Sequence, residues 1–138
     1  MIKNISNLGD AAVYCDFGVE VNKSVNSEVI KYFKALKKEN VESINNLTPS
    51  YNKLIVSYDL RKTNFKEVKK LIENLNVNET QDNNSTKIEI PVCCDDQFSL
   101  DIKRLEEKLN ISRDKIFENF FSKEYFCYMT GFIAGMPF

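Results

Sequence analysis

Apolar and polar residues alternate with a period of two near the start of the chain, then shift to helical spacing, and the sequence repeats that change once. Residues 2–6 and 11–17 read as two short strands joined at Gly9-Asp10, a turn-favouring pair. From 25 to 38 the period becomes helical, with Val25, Val29, Phe33 and Leu36 on one face. Lys31, Lys34, Lys37 and Lys38 fall mostly off that face and read as a solvated surface. Two more strands are predicted at 41–47 and 54–58, with Pro49-Ser50-Tyr51-Asn52 as the turn between them. A second helix is predicted to begin at Asn64, whose side chain caps it while Glu67 reaches back as the box partner. Its apolar face is Phe65, Val68, Leu71, Ile72 and Leu75. The expected fold class is α+β: a ββαββα antiparallel sheet over residues 1–75 with two helices on one face.

Residues 76–86 are polar and Asn-rich, and a linker and domain boundary are expected there. Beyond it the period-two pattern returns at 87–93, where Pro91 suggests an edge position or a bulge. Ser99 is expected to cap a helix running through Leu109, with Ile102, Leu105 and Leu109 inward. Ser112 is expected to cap another, with Ile116, Phe117, Phe120 and Phe121 as core rather than a cofactor box. Residues 125–138 carry no charge and end on Met-Pro-Phe, in what reads as buried strand and glycine-punctuated turn. The surface that would cover this strand is expected to come from residues that follow or from another polypeptide, including a second copy of the chain. Residues 87–138 are thus read as the incomplete start of a second domain.

Composition narrows the chemistry. The chain has 138 residues, 43% of them hydrophobic, enough for a real core, and no uncharged apolar run reaches the ~18–20 residues a membrane span requires. The first residues lack the apolar core of a signal peptide, so a cytoplasmic protein is expected. Nineteen basic against twenty acidic residues give a net charge of −1, which argues against a general electrostatic grip on nucleic acid or an anionic membrane. There is no histidine, hence no Ser-His-Asp or Cys-His pair and no imidazole metal ligand. Cys15, Cys93, Cys94 and Cys127 are expected to be reduced, buried and structural, because the adjacent Cys93-Cys94 would point to opposite faces of a strand, unlike a zinc knuckle. No metal site is expected.

Several short motifs resemble those of one family. Gly9-Asp10-Ala11-Ala12 with Asp16-Phe17-Gly18, then Ile90-Pro91-Val92-Cys93, then Glu124-Tyr125 leading into Tyr128-Met129-Thr130-Gly131-Phe132-x-x-Gly135-x-Pro137 occur in the order seen in the B component of bacterial ATP-dependent 5-oxoprolinase. That family, also called allophanate hydrolase subunit 1 or the carboxyltransferase subdomain C/D family, includes the kinase inhibitor KipI. The resemblance implies an α+β N-terminal domain followed by a cyclophilin-like β-barrel, of which this chain would carry the first strand-helix-helix-strand part. Two departures stand out. Phe120 occupies a position where the family usually has His, and Ala134, Met136 and Phe138 replace the first Pro, an aromatic and a Tyr of the family's glycine-proline segment. The family continues past this segment, so the chain is expected to be truncated at its C-terminus.

The function implied by the resemblance is that of one component of a complex, inactive alone, which acts with the C and A components to open 5-oxoproline to glutamate at the expense of ATP. An unstrained lactam is a poor electrophile, and phosphorylating its oxygen creates a leaving group. Gly131, Phe132, Gly135, Met136 and Pro137 are the substrate-binding candidates, because a glycine turn lets backbone N–H groups approach an anion. A structural turn at a barrel corner explains the same glycines, and no Walker loop is present. The catalytic residues and the ATP contacts are not assigned. Three alternatives stand beside this reading: a KipI-like inhibitor docking on a sensor histidine kinase, a component related to urea carboxylase, and an inactive fragment.

Overall fold

The computed structural model describes residues 1–77 and 86–138. Strands β1 (Asn4–Asn7) and β2 (Ala12–Asp16) are followed by helix α1 (Lys23–Glu39). Strands β3 (Ile44–Pro49) and β4 (Lys53–Tyr58) and helix α2 (Phe65–Glu73) come next, then α3 (Ile102–Leu109) and α4 (Arg113–Phe121). The chain groups into two compact units, Met1–Asn83 with Cys127–Phe138, and Asn84–Phe126. Of the linker expected at 76–86, residues 78–85 lie outside the described residues.

In the first unit the four strands form one antiparallel sheet in the order β1-β2-β4-β3. The two central strands alternate as their sequences require. Val13 and Cys15 of β2 and Leu54, Val56 and Tyr58 of β4 are buried, whereas their neighbours Tyr14, Asp16, Lys53, Ile55 and Ser57 are half-buried. The buried face is covered by α1 and α2, through Val29 and Leu36 of the first and Val68 and Ile72 of the second. Removing each of these side chains from water contributes about 1.5–3 kcal/mol. Both helices begin as their sequences direct. The Asn22 side chain accepts from Val25 N–H at 2.9 Å, and that of Asn64 from Glu67 N–H at 3.2 Å. The carboxylate of Glu67 does not close a capping box on Asn64; it accepts from the Thr63 hydroxyl at 2.8 Å instead.

Strand β3 starts three residues later than the alternation suggests, because Ile44 N–H bonds back to Val41 C=O at 2.9 Å and keeps the chain turning after α1. It then runs on through Pro49, which an edge strand tolerates, and a register shift between Ile44 and Asn46 bends this edge.

The second unit departs further from expectation. Residues 87–93 form no ladder among the described residues, and Ile88, Ile90 and Val92 are exposed. Helix α3 starts at Ile102 rather than at Ser99, whose hydroxyl donates to Cys94 C=O at 3.1 Å. Leu109, Phe120 and Phe121 are exposed rather than inward, and none of the unit's described residues is buried. The helical period is real, but these faces have no sheet to pack on within the unit. The unit is tied together by ring contacts among Phe117, Phe120, Phe121 and Tyr125 and by polar contacts. The Arg113 N–H donates to the Glu106 carboxylate at 2.8 Å, while its guanidinium holds Asp96 and Cys94 C=O. The strand expected from 125 onward is a short hairpin with one bridge, Thr130 to Pro137.

The cysteines also divide. Cys15 is buried, Cys94 half-buried, and Cys93 and Cys127 exposed, so two of the four are surface thiols rather than core residues. Burial pushes the Cys15 thiol up to about 12. In a timed alkylation of the native protein, Cys93 and Cys127 are therefore expected to react first and Cys15 only after denaturant is added. Native labelling of Cys15 at the rate of the other two would contradict this core.

Candidate functional site

At one end of the sheet β2 gives way to α1 and β3 turns into β4, and the polar side chains of the first unit converge there. Gly18 marks the exit from β2 with φ of 117°, a conformation that side-chain-bearing residues rarely adopt. The turn is closed by Asp16, whose carboxylate accepts from Gly18 N–H at 2.7 Å and from the Lys53 ammonium on the neighbouring strand. Lys53 also donates to Gly18 C=O at 2.6 Å. Asn52 donates to Gly18 C=O at 2.8 Å and to Glu20 C=O at 3.2 Å, and its own carbonyl receives Phe17 N–H at 3.0 Å. The Lys53 hydrogen bond, followed by the Gly18 N–H, holds the Asp16 carboxyl below its ordinary value.

Asn26 connects this end to the C-terminal residues. It lies in the first turns of α1, buried to 4% exposure, and its side-chain amide nitrogen stands 3.1 Å from Ser50 C=O, 3.1 Å from Tyr51 C=O and 3.2 Å from Tyr128 C=O. An amide nitrogen carries two hydrogens, so one is shared between acceptors. The Ser50 hydroxyl contacts the Met129 sulfur at 3.2 Å, and the Tyr51 and Tyr128 rings meet at 5.7 Å between centroids. The resemblance-bearing segments at 16–18 and 128–137 therefore belong to one unit and are linked through Asn26 and the β3–β4 turn.

The five substrate-binding candidates lie in the hairpin that follows. Gly131 N–H donates to Met136 C=O at 3.0 Å, and Pro137 faces Thr130 across the bridge. Phe132 (φ 61°) and Gly135 (φ 82°) are in the left-handed region, and the Phe132 side chain is 93% exposed. The hairpin brings all five together. The N–H groups of Gly131, Ile133, Met136 and Phe138 are spent within it, and residues 125–138 carry no cation. By itself the hairpin offers a triphosphate no charged partner. Among the described residues no group of three or more Cys, Asp or Glu could hold a metal ion. Two shallow hollows elsewhere, one between α1 and β3 and one beside β1, include no hairpin residue.

Sequence reasoning misses Asn26, Asn52 and Lys53. Asn26 does leave a signal: it stands three residues before Val29 and seven before Phe33, a polar residue on an apolar face.

The family model described as "Carboxyltransferase domain, subdomain C and D" matches residues 3–138 of the chain. The chain belongs to this family. Among curated relatives, the Bacillus subtilis (strain 168) protein named as the B component of 5-oxoprolinase is 27% identical over 146 residues, covering 97% of this chain and 61% of that protein. The chain thus spans about three-fifths of that relative's length. Among solved structures, TTHA0988 in its P212121 crystal form superposes with a TM-score of 0.72 at 22% identity, covering 88% of this chain and 24% of that one, a likeness of fold. The conserved uncharacterized protein PH0987 from Pyrococcus horikoshii is 29% identical, with a TM-score of 0.50, covering 94% of this chain and 60% of that one. No helix among the described residues is long and apolar enough to cross a membrane.

Two outcomes test the architecture of this carboxyltransferase-family unit. Asn26→Ala removes the amide shared by the Ser50, Tyr51 and Tyr128 carbonyls, and a loss of about 1–3 kcal/mol is expected in urea unfolding. Hydrogen exchange at 128–138 should rise with it; unchanged exchange there would contradict the linkage. Asp16 has a depressed folded value, so its contribution is present above the ordinary carboxyl value of 3.8 and lost as pH falls through the folded one. Asp16→Asn should therefore lower stability at neutral pH and flatten the acid limb below about pH 4. A variant with the wild-type stability-versus-pH curve would show that the ion pair contributes nothing.

Proposed function

We propose that this chain acts as the B component of a heteromeric ATP-dependent 5-oxoprolinase, opening 5-oxoproline to glutamate together with the A and C components. The observation that carries the reading is the relative named as that B component, which matches 97% of the chain at 27% identity within the shared family. A relative named as one lettered component also supports an assembly of several chains. In this reading ATP is bound by the assembled complex in the cytoplasm, and phosphorylation of the lactam oxygen turns an unreactive amide into one with a leaving group.

What the chain's own residues contribute is a scaffold. The sequence holds no histidine, the Lys53 ammonium is paired with Asp16, and Cys15 is buried with a raised value. In this reading general acid–base work at neutral pH is supplied by groups outside these residues. Gly131, Phe132, Gly135, Met136 and Pro137 enter as the substrate-binding candidates within the assembled complex. The second region, in the same reading, is the start of a barrel that more polypeptide completes.

Reconstitution tests this. The chain mixed with the A and C components should release glutamate only when both ATP and 5-oxoproline are present, with release falling to background when any component is omitted. The chain alone should release none. No activity from the three together, or an unchanged rate without this chain, would refute the assignment. Co-purification with a sensor kinase, accompanied by loss of autophosphorylation, would assign the KipI-like role instead.

A further inference from the structure

Asn26 stands on the face of α1 that Val29 and Leu36 use to cover the sheet, a buried polar side chain where an apolar one would gain more from burial. Its amide is kept there by what it reaches. Two of its acceptors, Ser50 C=O and Tyr51 C=O, belong to the β3–β4 turn and would serve the first unit without any later residue. The third, Tyr128 C=O at 3.2 Å, belongs to the base of the C-terminal hairpin. Tyr128 N–H donates to Phe138 C=O at 2.6 Å, and Phe138 N–H returns to Met129 C=O at 2.8 Å. These rungs enclose Gly131, Phe132, Gly135, Met136 and Pro137 between them. The same turn also holds the next residue, because the Ser50 hydroxyl meets the Met129 sulfur at 3.2 Å. Two adjacent residues fixed from one turn set the direction of the hairpin as well as its place.

We propose that Asn26 is a positioning residue for the reaction: through Tyr128 C=O it sets where the 131–137 candidates meet 5-oxoproline in the assembled complex. The inference rests on the heteromeric reading above and adds to it a residue on α1, far from the hairpin in sequence. The hydrogen bonds of Asn26 go to backbone carbonyls, so it acts through the hairpin rather than on the substrate. A binding segment works only when its support holds it to a fraction of an ångström, and a buried amide on a helix supplies such support. In this reading the acid–base groups lie outside these residues. A displaced hairpin therefore weakens the hold on substrate in ground and transition states alike, which raises KM and spares kcat.

The test follows glutamate release by the chain reconstituted with the A and C components, varying 5-oxoproline and ATP separately. Asn26→Asp keeps the shape of the side chain but replaces its donors with acceptors. This variant and Asn26→Ala should each raise KM for 5-oxoproline on the order of tenfold, with kcat and the KM for ATP within about twofold of wild type. Asn64→Ala removes the N-cap of α2 instead, and should lower the melting temperature while leaving KM unchanged. Wild-type KM in both Asn26 variants, beside an active wild-type complex, would overturn the positioning role and leave the heteromeric reading intact. A rise in KM that Asn64→Ala shares, or that vanishes when more of the chain is added, would overturn it too, by tracing the effect to stability or assembly. If neither Asn26 variant folds, Tyr51→Ala takes their place, since it removes the ring that meets Tyr128 at 5.7 Å. A raised KM there supports the proposal and an unchanged one overturns it. No glutamate from the wild-type components together would overturn both readings.

Discussion

The side-chain amide of Asn26 reaches three carbonyl oxygens that no other described group ties together. Two of them belong to the turn between the third and fourth strands, and the third lies just after the start of the C-terminal hairpin. A part-buried backbone carbonyl gains from a donor, and this amide divides its two hydrogens among three such carbonyls from one position in the core. The neighbouring Asp16–Lys53 pair and Asn52 fix the loop that leads into the same helix. The last residues of the chain are thereby held to the first sheet, and the geometry of the hairpin depends on that hold.

The first unit is legible because each of its rules acts locally and agrees with its neighbours. Alternation in β2 and β4 reports a sheet with one covered face, and the helical stripes of α1 and α2 report what covers it. Even the differences at β3 have local causes, a turn after α1 and an edge that accepts proline. The second unit is misleading for the opposite reason. The spacing of Phe117, Phe120 and Phe121 states that one side of α4 seeks apolar company, but periodicity does not say whose. Within the described residues of 84–126 no sheet is present to supply it, so side chains that read as core lie on the surface.

The candidate site is legible only at its ends. Gly18 and the 128–137 segment carry the family resemblance, while the groups that hold them are amides and a lysine of common type. Asn26 bonds to partners 24, 25 and 102 residues away, which no window along the chain connects. A polar residue on the apolar face of α1 is the visible trace of a tertiary contact.

That separation of 102 residues has a consequence for how the chain acquires its shape. The sheet and its two helices lie wholly within the first part of the chain and involve comparatively short closures. The hairpin joins across a long loop, whose closure entropy is offset by contacts that include the Asn26 hydrogen bond, the Ser50–Met129 contact and the Tyr51–Tyr128 rings. During synthesis the sheet can therefore form while the later residues are still emerging from the ribosome, with the binding place for the hairpin already made. Docking of the C-terminal segment draws on this polar contact at Asn26 as well as on the rings beside it.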